Sequence, residues 1–430
     1  MKLDQDAAPS APAKEDARPQ KPAAMASPAG TAPPAPLNGR TILLFAVASG
    51  LAVANAYFAH PLLDVMADDL GLSRTIAGLI VGATQLGYGL GLFLLVPLGD
   101  LLDRRKLILG QSLLSVLALA SVGVSQSAAM LLGAMAAVGL LAVVTQALVA
   151  YAASLAHPSE RGHVVGIVTS GIVVGILLAR TIAGALTDLS GWRTVYFASA
   201  VLTLTITILL WRMLPRQERV TGSLSYGRLI ASLVTLIVEE PVLRIRGIIA
   251  MLIFANITTL LAPLVLPLSA PPFSLSHTQI GLFGLAGVAG ALGATRAGRW
   301  TDRGRGQRTT GIALGLMLLS WLLIAQLHSS ILWLIAGVLI IDFGLQAVHV
   351  TNQAMIYRVR PEAQNRLTAA YMVFYSIGSA AGSSVSTVVY AHAGWTGVCV
   401  MGAAISLATL LFWIATRRAT PAAATMPLHI

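Results

Sequence analysis

The chain has 430 residues, of which 56% are hydrophobic and only 10% charged, with a formal net charge of +11 and a single cysteine. A soluble domain carries about 25% charged residues, so an ordinary water-facing surface is excluded, and a mean hydropathy of +0.79 makes a bilayer the solvent that fits. The lone Cys399 excludes an internal disulfide and a cysteine-based metal set, and the eight histidines show no metal-ligand spacing such as HExxH.

Residues 1–40 are rich in Ala and Pro and cannot bury a core, which predicts a disordered tail. The tail lacks an apolar h-region, so no cleavable signal peptide of ordinary form is expected. A membrane span needs about 20 mainly apolar residues. Such runs fall at 41–63, 75–98, 107–124, 128–154, 163–186 and 193–213, and again at 245–268, 279–298, 309–327, 330–355, 367–390 and 396–416. The sequence therefore predicts an all-α membrane protein of twelve transmembrane helices. Its parts are a six-helix N-terminal half (41–213), a linker (214–244), a six-helix C-terminal half (245–416) and a C-terminal tail (417–430). Within the linker, LIASLVTLIVEEPVL is interrupted by charge and reads as an amphipathic helix lying on the inner leaflet.

Of the 28 Lys and Arg residues, 25 fall on the tails and on the connections between spans 2–3, 4–5, 6–7, 8–9 and 10–11. The opposite connections hold only Arg74 and Arg193, and Arg180 lies inside a span. This split predicts that both termini are cytoplasmic, that the basic clusters meet anionic lipid headgroups, and that nucleic acid is not a partner. Trp192, Trp395, Trp211, Trp300 and Trp413 fall at span ends, as an interfacial belt requires.

Three landmarks recur at a nearly constant separation of about 200 residues, the mark of a duplicated architecture. Asn55 before Pro61 recurs as Asn256 before Pro263, GDLLDRR at 99–105 as GRWTDRG at 298–304, and Gly191-Trp192 as Gly394-Trp395. The loop Gly99-x-x-x-Asp103-Arg104 resembles the signature loop of the major facilitator superfamily. Gly298-x-x-x-Asp302-Arg303 is its second copy. The resemblance covers about 40–418. Span 1, ANAYFAHPLL, is similar to a bacterial efflux-permease branch of that family. The first loop copy departs from the family pattern at Arg105-Lys106, where a glycine-basic sequence is usual. Span 5 lacks the glycine-proline motif of drug antiporters, and span 4 lacks their arginine.

The resemblance implies two six-helix halves with a substrate site between them near the membrane midplane. It also implies that the two signature loops gate the outward-open state, and that spans 2, 5, 8 and 11 form a sliding contact. Gly78, Gly82, Gly87, Gly89 and Gly91, Gly171 and Gly175, the series Gly281 to Gly293, and Gly378 and Gly382 suit that contact or equally a static packing.

Ionisable residues deep in a span are costly and usually face a cavity or a partner. Asp342 is the one mid-span carboxylate, and Asp342, Gln346, His349 and Gln353 follow helical spacing along span 10. Asp342, with His349 beside it, is the proton-coupling candidate; a buried structural pair is the alternative. Arg180 is a cavity candidate or one half of a bridge that locks the halves. Asn55, Tyr57, His60, Gln146, Asn256, Gln346 and Gln353 are the further cavity candidates, with interhelical hydrogen bonds as the alternative role for the two asparagines. No P-loop is present, so the chain is not expected to hydrolyse ATP or to hold a cofactor or metal, and an ion gradient is the remaining energy source. The expected function is secondary active transport, namely proton-coupled efflux of a small organic solute by a monomeric inner-membrane antiporter that is not an enzyme. The alternatives are proton-linked uptake or uniport of a sugar or organic anion, and a non-transporting membrane sensor or scaffold.

Overall fold

A computed structural model describes residues 38–157, 160–215, 225–360 and 364–420. The predicted disordered tail lies outside these residues except for its last three, and so do part of the linker and the last ten residues of the chain. Among the described residues there are helices and turns but no strands.

Asn38 begins the bundle by capping α1 (Gly39–Ala54), its side chain accepting from the Arg40 backbone N–H at 3.2 Å. Span 1 is not continuous, contrary to the predicted 41–63. It turns at Asn55, runs through a 3-10 turn at His60–Leu62, and resumes as α2 (Leu63–Asp69). Pro61 explains the break, because it supplies no N–H to continue the ladder. Then follow α3 (Arg74–Leu94), α4 (Arg104–Gly123), and span 4 in two pieces, α5 (Ala128–Ala142) and α6 (Val144–Leu155). The N-terminal half closes with α7 (Arg161–Ser190) and α8 (Trp192–Met213).

The linker carries α9 (Tyr226–Glu239). It turns Leu229, Leu233 and Leu236 into the bundle and leaves Val234 and Val238 exposed. Tyr226 donates to the Leu94 carbonyl at 2.8 Å, while Leu236 packs with Leu243, Ile356, Leu367 and Tyr371, so α9 touches both halves.

In the C-terminal half, α10 (Pro241–Leu261) and α11 (Val265–Ser269) repeat the broken first span. Span 8 is broken too, into α12 (His277–Gly281), a 3-10 turn at Leu282–Ala286 and α13 (Gly287–Trp300). Next come α14 (Gly306–Ile324), α15 (Ile331–Tyr357) and α16 (Gln364–Thr416). Among the described residues, nine helices are long and apolar enough to cross a membrane. The last of these is two spans that fold back at Gly394, where φ is 60°. Gly191, with φ 83°, makes the equivalent corner in the first half, and both positions favour glycine for the same steric reason. With that division, the short α1 and the broken span 8, the described residues make twelve crossings.

The halves meet along two seams. On one, Gly78, Gly82 and Gly89 of α3 face Thr387, Ser384 and Ser376 of α16; on the other, Gly184 of α7 faces the backbone of His277 and Gly281 faces that of Arg180. Gly284 and Gly287 likewise approach Leu177 of α7 across the seam, whereas other glycines of the expected sliding set pack inside a half. Gly171 and Gly175 rest on Ala46 and Gly50, Gly87 and Gly91 on Ala136 and Leu140, and Gly378 and Gly382 on Met251 and Ala255. Each helix thus offers one small face to its own half and another to the partner half, a distinction that spacing alone does not reveal. Leu117, Val201, Leu322 and Val400 stay exposed on the outside, as a lipid-facing surface requires.

Candidate functional site

Ser330 caps α15, and its 27-residue run carries the polar stripe through the bundle. Asp342, Gln346, His349 and Gln353 are partly accessible, whereas Leu345, Val348 and Asn352 between them are buried. The stripe lies against the glycine face of α13. A Cβ at Gly287 or Gly290 would sit 3.5 or 3.4 Å from the Asp342 carboxylate, and one at Gly290 would sit 2.8 Å from Gln346 Cγ. On the other flank of span 8, Arg180 lays its stem against Gly284, 3.2 Å from a Cβ built there. The absence of side chains on this face lets a cation of the first half and a carboxylate of the second approach within electrostatic range. Among the described residues no direct ion pair joins them, and Arg180 Nε is buried without a hydrogen-bond partner.

Aromatic rings complete the wall. The Arg180 guanidinium stands 6.0 Å from the Tyr57 ring centroid, and Tyr57 shares a hydrogen bond of 2.8 Å with the Tyr375 hydroxyl across the halves. Phe254 packs edge-on against Tyr375, with centroids 4.1 Å apart, and against His349 at 5.2 Å. His349 Nδ1 bonds the Tyr371 hydroxyl at 3.0 Å. His60 stacks on Tyr57 and bonds back to its carbonyl at 3.2 Å. Gln146 neighbours Tyr88, whose ring meets Tyr375 edge-on.

The two asparagines belong elsewhere. Asn256 donates to the Gly402 carbonyl at 2.7 Å and Ser406 Oγ at 2.8 Å, and accepts from Trp321 Nε1 at 3.2 Å. Asn55 accepts from Ser199 at 2.6 Å. Each therefore ties the first span of its half to the last. Both ends of the Asn256 amide are engaged within its half, as in the interhelical role named as the alternative for the two asparagines.

The first signature loop is built by its own aspartate. Asp103 caps α4, accepting from the backbone N–H groups of Arg105 at 2.8 Å and Lys106 at 3.3 Å. Arg104 reaches the carbonyls of Gly99 and Ala150, both at 3.4 Å. The second copy turns differently, through Gly304 at φ 75°, where the first copy has Arg105 and starts its helix at once. Arg303 there is exposed; Gly298 and the side chain of Asp302 lie outside the described residues.

A cavity of about 250 Å³ opens between the halves toward the face that carries the termini. Gln146 and Arg104 line it on one side, Tyr357 and Arg366 on the other, and Leu229 and Leu233 of α9 at its mouth. At the opposite face the halves touch, through His277, Asp64 and Asp188.

Sequence reasoning missed several of these residues. Tyr88, Tyr371 and Tyr375 look ordinary in apolar runs, though the helical spacing of Tyr371 and Tyr375 places both on one face. Asp64, Asp188 and His277 carry no local signal, because the partners are 213 and 89 residues apart in sequence. Arg246, counted with the basic linker, is fully buried in α10 and donates to Thr310, Asn352 and Thr420 at 3.1–3.3 Å.

Comparison with known proteins places this geometry. The family model of the Major Facilitator Superfamily matches residues 44–270 and 247–427. The chain is 48% identical, over 383 residues, to the uncharacterised transporter YgaY of Escherichia coli O157:H7, covering 89% of this chain and 97% of the relative. Among solved structures, a bacterial homologue of the human lysosomal transporter Spinster, in an inward-facing and occupied conformation, superposes with a TM-score of 0.72 at 13% identity, covering 88% of this chain and 96% of that one. The human organic anion transporter MFSD10 superposes with a TM-score of 0.64 at 19% identity, covering 88% of this chain and 100% of that one. At such identities the two structures report the fold alone.

Proposed function

The chain belongs to the major facilitator superfamily and is a multi-pass membrane transporter, not an enzyme; on that premise we propose that it exports a small organic solute across the inner membrane in exchange for protons. The face carrying the termini is the cytoplasmic one in this reading, which the distribution of Lys and Arg supports. The conformation described above is then inward-open.

The observation that carries the reading is the placement of Asp342 and Arg180 on the two flanks of one glycine face, one in each half. A charged Asp342 attracts Arg180 and draws the halves together around span 8. A protonated Asp342 does not, and it leaves Arg180 as an uncompensated cation in a low-dielectric wall. Proton binding at one residue thus changes the balance between the states, which alternating access requires. Gln346, His349, Gln353, Tyr57, His60 and Gln146 supply polar contacts around the pair, and a solute reaches it from the cavity below. One charge crossing 100 mV supplies about 2.3 kcal/mol, enough for roughly a fiftyfold solute gradient per proton.

A second reading, transport of an organic anion, is favoured by one observation: Arg180 Nε is buried without a partner and suits an acidic group. A panel of labelled neutral, cationic and anionic solutes, assayed in inverted vesicles with and without an imposed pH gradient, tests both. Flux of an anion that ignores the gradient favours the second reading. Gradient-driven flux of a neutral or cationic solute favours the first.

A further inference from the structure

At the face opposite the termini, one imidazole holds three elements together. His277, the first residue of α12, belongs to the C-terminal half, and its two ring nitrogens each meet a carboxylate of the N-terminal half. Nε2 lies 3.1 and 3.3 Å from the Asp64 oxygens, and Nδ1 lies 3.0 Å from Asp188 Oδ1. Asp188 also receives the backbone N–H of His277 at 3.1 Å, that of Thr278 at 2.8 Å and the Thr278 hydroxyl at 2.6 Å. Just below, Gly184 leaves no room for a side chain against the His277 backbone. The ring is only partly accessible to solvent, with 17% of its side chain exposed, so its charge state bears on the contact.

We propose that His277 is a proton-binding latch whose protonated form, held between Asp64 and Asp188, closes this face of the transporter. A neutral imidazole donates through one nitrogen only and leaves the other facing a carboxylate lone pair to lone pair. An imidazolium donates through both and neutralises part of the paired negative charge. When the halves part, His277 leaves both aspartates, and the contact is lost as a unit. The proton enters and leaves from the same side, so it biases the resting state without being carried across. The proposal rests on alternating access, but not on the role of Asp342.

Among the described residues, no Lys or Arg pairs with Asp64 or Asp188. Of the elements against α12, α7 offers Asp188 and, deeper in the seam, Arg180, and the turn at His60–Leu62 offers His60, which bonds to Tyr57. Neither α11 nor the turn at Leu282–Ala286 carries an ionisable side chain. On α2, Asp69 pairs with Arg193 and Asp68 is exposed. The bonds to Asp64, foremost, and to Asp188 hold the His277 imidazolium above its ordinary pKa, outweighing partial burial. The sign follows: closure is fully supported below the ordinary histidine value of about 6.5 and is lost as pH rises through the raised value of the closed state. Between the two values the closed-to-open ratio falls about tenfold per pH unit.

The test is a distance measurement on the full chain in lipid nanodiscs. Spin labels at Ser190→Cys and Ser329→Cys, both exposed at this face, report its opening in a Cys399→Ser background. From about pH 5 to about pH 9, the short-distance population of the otherwise unaltered protein should give way to a longer one. His277→Gln should show the longer distance at acid pH as well. His277→Arg, which keeps the cation, should stay short throughout and shows that the site still assembles. Acid closure that survives in His277→Gln, or its absence from the unaltered protein, overturns the latch. Asp342→Asn should keep the response; its loss there would assign the proton to Asp342 and also overturn the proposal.

Discussion

Tyr57 of the first half and Tyr375 of the second share a hydrogen bond of 2.8 Å across the seam, directly above the Arg180 guanidinium. Tyr57 stacks on His60 of its own half, Tyr375 meets Phe254 of its own half and Tyr88 of the other, and the hydroxyls are a polar link between these rings. Replacing either with Phe removes the link and keeps the ring. A net hydrogen bond is worth about 0.5–1.5 kcal/mol, so each single variant should shift the closed-to-open ratio about two- to tenfold toward opening. The double variant should be no worse than the poorer single one, because no donor is left stranded. A double-mutant cycle on the label distances checks this; additive effects would mean that the two hydroxyls act separately.

Asp103 presents a cleaner separation of roles than its family motif suggests. Its carboxylate caps α4, and Asn caps a helix about as well as Asp. Asp103→Asn should therefore leave insertion and thermal stability unchanged while reducing transport several-fold, if the negative charge latches another state. Asp103→Ala should cost about 1 kcal/mol of stability in addition. Equal transport by Asp103→Asn and the unaltered protein, at matched expression, would confine the residue to capping.

Asn256 is expected to matter for stability alone. Its amide engages Trp321, Gly402 and Ser406 inside the C-terminal half. Asn256→Leu strands buried donors and acceptors at about 1–3 kcal/mol each, so the melting temperature in detergent should fall clearly while the KM of the surviving protein holds. A changed KM with an unchanged melting temperature would return the residue to the cavity.

The spans, the repeat and the α15 stripe were legible because each is a local pattern: an apolar run, a recurring motif, a helical spacing. The partners were not. His277 and Asp64 are 213 residues apart in sequence, and Asn256 and Ser406 are 150 apart. A polar residue in an apolar run looks the same whether it faces a cavity or a neighbouring helix. Asn256, buried with its amide engaged by the last span of its half, and Gln346, partly accessible beside Gly290, look alike in sequence. Likewise Gly175 and Gly184 lie on one helix, but the first meets α1 and the second meets α12. Only the rotation of α7 about its axis decides which is the seam. The breaks in spans 1 and 8 were half-legible: Pro61 announces the first, whereas the 3-10 turn at Leu282–Ala286 contains no proline.

The orientation of the bundle is testable by the same chemistry as its gate. Cysteines placed one at a time at Ser190 and Ser329 should react with an impermeant maleimide added to whole cells. Cysteines at Leu102, in the exposed first signature loop, and at Ser225, before α9, should react only after the membrane is opened. The buried Cys399 should contribute little background. Outside labelling at Leu102 would reverse the inferred orientation.

Asp342→Asn tests the coupling itself. The substitution keeps the size and hydrogen-bonding of the side chain and fixes it in the neutral form. In the proposed cycle, a charged Asp342 balances Arg180 when no proton is bound, and the neutral form exists only while the proton is carried. The variant should therefore bind solute and exchange it between the two faces, because both steps are open to the neutral state. It should lose nearly all accumulation driven by a pH gradient, since no proton is released. Inverted vesicles loaded with and without the gradient, beside equilibrium binding on the purified protein, separate the two functions. Gln346 and His349 lie on the same stripe, so Gln346→Ala and His349→Gln should alter solute affinity and leave the dependence on the gradient in place. If Asp342→Asn accumulates solute as fast as the unaltered protein, Asp342 is not the proton carrier. If it instead fails to fold, and Arg180→Gln in the same chain restores the fold, the two residues are a structural pair and the coupling proton binds elsewhere.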